Sequence, residues 1–256
     1  MGFDVAAEAY DRYMGAWSRL LAPQLVDLAG IAAGQRVLDV GCGPGALLEA
    51  VVARVGSDGL SAVDPSESFV TAARQRHPAA DIRLASAESL PYPDNGFDAA
   101  LAQLVVHFMT DPVAGLREMR RVTRPGGTVT ACVWDFAGGR GPLGPFWEQA
   151  LALDPAVEDE SRLAGARAGH LAELFALAGL PGARESELSA SRSFGGFDDW
   201  WLPFTRGVGP GGAYLATLSA ERQAQLRERC RSVLPRGSFV LTATAWAARA
   251  TADPDV

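Results

Sequence analysis

Lysine is absent: in a chain of 256 residues all 23 Lys/Arg positions are arginine. Set against 30 Asp and Glu, they leave a formal net charge of −7 and no basic run. A chain so short of positive charge is not built to follow a phosphate backbone, so nucleic acid is not the expected partner. Cysteine is scarce as well. Cys42, Cys132 and Cys230 have no metal-ligand spacing, and their odd number points to free thiols in a reducing compartment. Histidine occurs only as His77, His107 and His170, with no His-x-x-x-His pair, so a metal-dependent mechanism is disfavoured and no metal is expected. No run of ~18 apolar residues appears, which excludes an expected membrane-inserted helix. The opening Met-Gly-Phe-Asp-Val-Ala lacks the basic start and apolar centre of a signal peptide, and Ala6 spoils a myristoylation site at Gly2, so a cytoplasmic location is expected. Internal repeats and low-complexity tracts are also missing.

With 48% hydrophobic residues, the length suits one large α/β domain or a domain with a cap. The most informative segment is Val37-Leu-Asp-Val-Gly-Cys-Gly-Pro-Gly45. Its apolar run suits a buried parallel strand, and Gly41, Gly43 and Gly45 permit a tight turn with backbone N–H groups close to a ligand. Residues 46–55 then read as a helix, completing the start of a nucleotide-binding βαβ unit. The spacing is G-x-G-x-G rather than G-x-G-x-x-G, and Asp39 sits inside the strand, which favours a nucleoside carrying an amino acid over a pyrophosphate. A plain turn without ligand is the alternative. Leu60–Asp64 reads as the second strand and ends in an acid nineteen residues after Gly45, placed to accept ribose hydroxyls. Phe97–Leu104 reads as the fourth strand. A helix over Pro112–Thr123, the turn Arg124-Pro-Gly-Gly127 and a strand over Thr128–Trp134 follow. Arg117, Arg120, Arg121 and Arg124 read as the solvated face of that helix.

The glycine loop, Asp64, the segment Leu84–Asp98 and the run Leu116-Arg-Glu-Met-Arg-Arg-Val-Thr-Arg-Pro-Gly-Gly127 resemble, in this order, the motifs of class I S-adenosylmethionine-dependent methyltransferases. The last run is similar to the small-molecule branch that includes the quinone-biosynthesis methyltransferases, and the likeness covers roughly residues 8–135. The resemblance implies a Rossmann-like, seven-stranded, mostly parallel sheet with an antiparallel last strand, helices on both faces and a small helical cap. It implies S-adenosylmethionine as cofactor, S-adenosylhomocysteine as product, and a small, apolar or aromatic acceptor such as a secondary metabolite or quinone. A fold relative that binds the cofactor but catalyses another reaction, such as a cyclisation, and a non-catalytic binder both remain open. So does the oligomeric state, monomer or homodimer.

Carried onto this chain, the cofactor residues are Asp39, Gly41, Gly43, Gly45, Asp64, Pro65, Ser86, Ala87, Glu88 and Gln103, with Tyr13 and Arg19 from an N-terminal lid. Ser86 stands where relatives often carry Asp for the adenine amino group, so Ser86 would act through water or Glu88 would supply the contact. The lid is assigned to residues 1–30, and the cofactor domain to 31–256 with acceptor-cap insertions near 137–166 and 195–236. Tyr10-Asp-Arg-Tyr13 to Trp17-Ser-Arg19 either closes over the methionine end, with Tyr10 and Trp17 toward the acceptor, or is a packed helix with Arg19 in solvent. Pro23 breaks or starts a helix there. Phe146, Trp147, Trp200, Trp201 and Phe204 suit a flat acceptor or form a small cap core. His107, just past the fourth strand, is the candidate general base, and equally a residue that shapes the pocket. Cys42 is a small loop residue rather than a nucleophile. Gly and Pro mark 137–145 as a mobile loop, and helices over 146–153, 169–180 and 220–233 and strands over 183–194 and 239–248 complete the chain.

Overall fold

A computed structural model describes residues 14–253. Its seven strands are β1 (Val37–Val40), β2 (Leu60–Asp64), β3 (Asp81–Leu84), β4 (Phe97–Gln103), β5 (Thr123–Trp134), β6 (Arg184–Phe194) and β7 (Phe239–Ala252). They form one sheet in the order β3-β2-β1-β4-β5-β7-β6. The pairs along β3-β2-β1-β4-β5 are parallel, and β7 runs antiparallel to both β5 and β6. This is the Rossmann-like sheet that the resemblance implies. Chain order reverses between β1 and β4, so a crevice opens at the carboxyl ends of those two strands.

Nine α-helices lie among the described residues: α1 (Ala16–Ala29), α2 (Ala46–Val55), α3 (Glu67–Arg76), α4 (Pro112–Val122), α5 (Gly144–Leu153), α6 (His170–Leu177), α7 (Phe197–Thr205), α8 (Gly209–Thr217) and α9 (Ala220–Val233). Helices α1, α2 and α3 cover one face of the sheet through Leu21, Leu25, Leu48, Val51 and Val70. The other face is covered by α4 and α6 through Leu116, Met119, Leu171 and Phe175. Caps set the starts of two helices: Asp111 accepts the Ala114 N–H at 3.0 Å ahead of Pro112, and Ser66 accepts from Phe69. None of the helices is long and apolar enough to cross a membrane, among the described residues.

Four local expectations are corrected. Pro23 neither breaks nor starts a helix: α1 runs through it, because Trp17, Leu21, Leu25 and Val26 bury one face while Pro23 lies on the exposed one. Burial of those four side chains outweighs the ~3 kcal/mol that an interior proline costs. β5 begins earlier than expected, at Thr123, and absorbs Arg-Pro-Gly-Gly in a bulge where the register shifts between Phe97 and Ala99. The arginines are not simply a solvated face. Arg121 donates to the carbonyls of Leu90 and Tyr92 and pairs with Glu118 and Asp94 at 2.6 Å each, and Arg124 pairs with Asp98 at 2.6 Å. The loop expected at 137–145 is closely bonded: buried Asp135 accepts from the Gly138 N–H at 3.0 Å and from Arg140 Nε at 2.5 Å.

Candidate cofactor and acceptor site

The crevice at the β1–β4 boundary is lined by the glycine loop, by Asp39 of β1, by Asp64 at the end of β2 with Pro65, Ser66 and Phe69 after it, and by Gln103 at the end of β4 with Leu104, Val105 and Phe108 after it. Gly15 and Ser18 of the α1 end close its far side. The loop has the backbone its glycines allow: φ is +75° at Gly41, +53° at Gly43 and +103° at Gly45, a region side chains rarely adopt. Gly41 and Cys42 donate their N–H groups to the Val63 carbonyl at 2.8 and 3.0 Å. Asp64 then ties the loop to β2: Oδ2 accepts from the Gly43 N–H and Oδ1 from the Ser66 N–H, both at 2.8 Å. Each oxygen has capacity to accept a further hydrogen bond, and Asp64 lines the crevice. Burial raises the Asp64 pKa, opposed by the two N–H donors.

Asp39 is buried, and neither of its carboxylate oxygens has a hydrogen-bond partner. Burial, and then the neighbouring Asp64 charge, push its pKa well up. A lone buried carboxyl that lines a crevice calls for a donor or a cation from the occupant. Gln103 has a similar need. Its Nε2 donates to the Ser18 carbonyl at 3.1 Å, and its Oε1 is buried without a partner. Leu104, at φ +59°, makes the sharp turn out of β4, with its N–H on the Cys132 carbonyl at 2.9 Å.

Asp39, Gly41, Gly43, Asp64, Pro65 and Gln103 therefore converge on one crevice, with Gly45 beside it at the start of α2. Other expected residues lie elsewhere. Ser86 and Ala87 follow β3, where the Ala85 N–H meets the Asp64 carbonyl, and Ala87 is buried in the core cluster of the α4 face. Glu88 accepts from the Thr110 and Asp111 N–H groups at 2.8 and 3.3 Å and so braces the entry to α4. Trp17 is buried edge-to-face on Trp134, with centroids 6.2 Å apart, in the core. Arg19 sits half-buried on α1, and Tyr10 and Tyr13 lie outside the described residues. The lid assignment divides in the same way: residues 1–13 lie outside the described part, whereas 16–29 pack into the core.

His107 lies in the short helical turn Val106–Phe108 but does not line the crevice. Its ring packs on Phe108 at 4.0 Å and on Phe136 at 5.4 Å between centroids. Burial lowers its pKa to about 3, and Nδ1 is unpartnered. The two insertions do meet. Phe146 stacks on Phe204 at 4.5 Å, and Trp147, Trp200 and Trp201 join them in one buried cluster with Tyr214, away from the crevice lining. Within it Trp147 Nε1 donates to buried Glu160 at 2.9 Å. Phe69, Val105, Phe108 and Ser18 line the crevice without having been expected to. The one signal for Phe69 was its place in the first turn after Ser66; Leu104 gave none, because leucine rarely takes a positive φ. All three cysteines are free and buried, and burial pushes the Cys132 and Cys230 thiols up to about 12, so neither is a nucleophile.

Residues 38–131 match the family model described as a methyltransferase domain. Over this segment the chain is similar to methyltransferases of class I, the S-adenosylmethionine-dependent type whose motifs it resembles. It is 33% identical over 147 residues to a malonyl-[acyl-carrier protein] O-methyltransferase of Serratia marcescens, over 57% of this chain and 56% of that one. To the ubiquinone/menaquinone biosynthesis C-methyltransferase UbiE of Chromobacterium violaceum it is 38% identical over 125 residues, 47% of this chain and 50% of that one. The chain thus spans about half the length of these curated relatives. The solved phospholethanolamine N-methyltransferase 2 of Haemonchus contortus, in complex with phosphomonomethylethanolamine and S-adenosylhomocysteine, shares the fold with a TM-score of 0.60 and 16% identity, over 98% of this chain and 58% of that one.

S-adenosylmethionine, the cofactor that the resemblance implies, suits the crevice. A Cβ on Gly43 would meet nothing within 4 Å, so the loop leaves an open cradle there. Orphaned Asp39 suits a cationic methionine end, and the free lone pairs of Asp64 suit paired hydroxyls. Among the described residues no group of three His, Cys, Asp or Glu could hold a metal.

Proposed function

We propose that the protein transfers the methyl group of S-adenosylmethionine to a small, apolar or aromatic organic acceptor. The observation that carries this reading is the crevice itself: a glycine cradle, an acid with free lone pairs at the end of β2, and a buried unpartnered acid at the end of β1. When bound, the cofactor supplies an electrophilic methyl on a sulfonium sulfur. The chain's part is then to hold two reactants in line and keep water out. Asp64 fixes the ribose, Asp39 and Gln103 meet the methionine end, and the glycine loop lets the backbone come close. Arg19 and the N-terminal tyrosines belong to the segment that would cover this end.

The acceptor side is the wall of Val105, Phe108, Gly15 and Ser18, which is chiefly apolar. Phe108 is 42% exposed at the lip, a cost in water that a flat apolar ligand would remove. The name of one relative, a ubiquinone/menaquinone biosynthesis C-methyltransferase, supports a quinone-like acceptor of this kind. His107 supports the Phe108 wall rather than taking a proton, because a buried imidazole with a pKa near 3 is a weak base.

The test is incubation with S-adenosylmethionine and a panel of hydroquinones, phenols and carboxylates, with S-adenosylhomocysteine and methylated product both measured. Equal amounts of the two support the proposal. Cofactor that binds and is recovered unchanged, while an acceptor is rearranged or cyclised, points to a non-methylating relative of the fold.

A further inference from the structure

The glycine loop is held in two halves by different elements. Gly41, Cys42 and Gly43 are tied to β2 through the Val63 carbonyl and the Asp64 carboxylate. Pro44 and Gly45 lie beyond that reach. They are met from the end of α3, thirty-two residues along the chain: Arg76 Nη1 donates to the Pro44 carbonyl at 2.8 Å. The adjoining His77 ring lies against Gly45, so close that a Cβ there would stand 3.3 Å from its Cδ2. Pro44, Ala46 and Leu47 line the crevice, whereas Arg76 and His77 do not. The bond joins a charged donor to a backbone carbonyl just ahead of α2, and a charge-assisted bond of this type is stronger than a neutral one.

We infer that Arg76 is a positioning residue for the cofactor. Its guanidinium fixes the Pro44 carbonyl, and through it the second half of the glycine loop, in the shape that leaves the cradle over Gly43 open. The inference rests on the reading that this crevice takes S-adenosylmethionine. It adds an element to the site, since α3 contributes to cofactor binding through its last residue as well as through its first turn. The loop also holds Asp64 in place through the Gly43 N–H, so slack in the loop is felt at the ribose acid.

Two variants test this. Arg76→Met keeps the length of the stem and removes every donor; Arg76→Lys restores one charged donor. S-adenosylhomocysteine affinity is measured by titration calorimetry, and amide exchange of residues 43–46 by mass spectrometry on the ligand-free protein. Arg76→Met is expected to weaken binding about 5- to 20-fold and to speed exchange in 43–46 about tenfold, the scale of one hydrogen bond to a charged group. Exchange in β4 and β5 stays unchanged, and Arg76→Lys recovers part of the affinity. A folded Arg76→Met protein that binds within about twofold of wild type, or one whose exchange rises uniformly across the sheet, overturns the proposal while leaving the cofactor reading intact. Wild-type protein that binds no S-adenosylhomocysteine overturns the cofactor reading and this proposal with it.

Discussion

A single methyl group added at Gly41 or at Gly43 separates what the loop does for the fold from what it does for the ligand. Both residues have positive φ, +75° and +53°, so Gly41→Ala and Gly43→Ala each carry a conformational cost, about 1–2 kcal/mol. Their surroundings differ. At Gly41 the new Cβ would lie 2.5 and 2.6 Å from the two methyl groups of Val105, a stiff β-branched side chain at the crevice wall. Overlap of that kind adds about 1–3 kcal/mol. At Gly43 nothing lies within 4 Å, so the methyl group enters the crevice without disturbing the protein. Gly41→Ala should therefore lose about 2–5 kcal/mol of stability, and Gly43→Ala only about 1–2. In a chain of this size that corresponds to roughly 4–20 °C against roughly 2–8 °C in Tm. Affinity should run the other way once folded protein is compared: Gly43→Ala weakens S-adenosylhomocysteine at least ~30-fold, since its methyl group occupies ligand space. Differential scanning calorimetry and titration calorimetry on both variants give the two numbers. Normal affinity in Gly43→Ala would refute the placement of the ligand over that residue. Equal losses of Tm would refute the Val105 argument.

His107→Asn should keep kcat within about tenfold and leave the shape of the pH–rate profile above pH 5 unchanged. The reason is that a buried imidazole with a pKa lowered to about 3 is neutral throughout that range; a hundredfold loss together with a vanished acidic limb would make it the base. Glu160 should give the fold a pH dependence of its own. Burial, reinforced by Asp159, raises its pKa from 4.5 to about 7 despite the Trp147 hydrogen bond. The folded value lies above the unfolded one, so the favourable contribution is complete below about pH 4.5 and is lost as pH rises through about 7, on the order of 3 kcal/mol in all. Urea unfolding between pH 4.5 and 8 should show that decline in wild type and a flatter curve in Glu160→Gln, whose amide oxygen still accepts from Trp147; parallel curves would contradict the assignment.

Where the sequence pattern was dense, it located the elements closely. Val37–Val40 is an all-buried strand running into glycines that do take positive φ, and the last strand, expected over 239–248, starts at Phe239 and runs on to Ala252. β3 was not picked out as a strand, because as an edge strand it buries only Ile82 of its four residues. The cap aromatics were legible as a group, but composition cannot distinguish rings that face a ligand from rings that face one another. Phe146, Phe204 and the tryptophans stack among themselves. Arg121 illustrates the same limit for charge. Helical spacing put it with Arg117 and Arg120, yet only the folded chain brings Leu90, Tyr92 and Asp94 within its reach. Arg76 and Pro44, thirty-two residues apart, had no sequence signal that would link them.

The central claim is that the crevice between β1 and β4 holds S-adenosylmethionine with Asp64 on its ribose. The most direct measurement is a side-by-side calorimetric titration of wild type and Asp64→Ala with S-adenosylhomocysteine, both shown to be folded. The account predicts one site per chain in wild type. In the variant it predicts a loss of about 2–3 kcal/mol, roughly a 30- to 150-fold weaker Kd, because hydrogen bonds to a charged acceptor disappear and the Gly43 anchor goes with them. Unchanged affinity in a folded Asp64→Ala protein, or no binding to wild type at all, would contradict it.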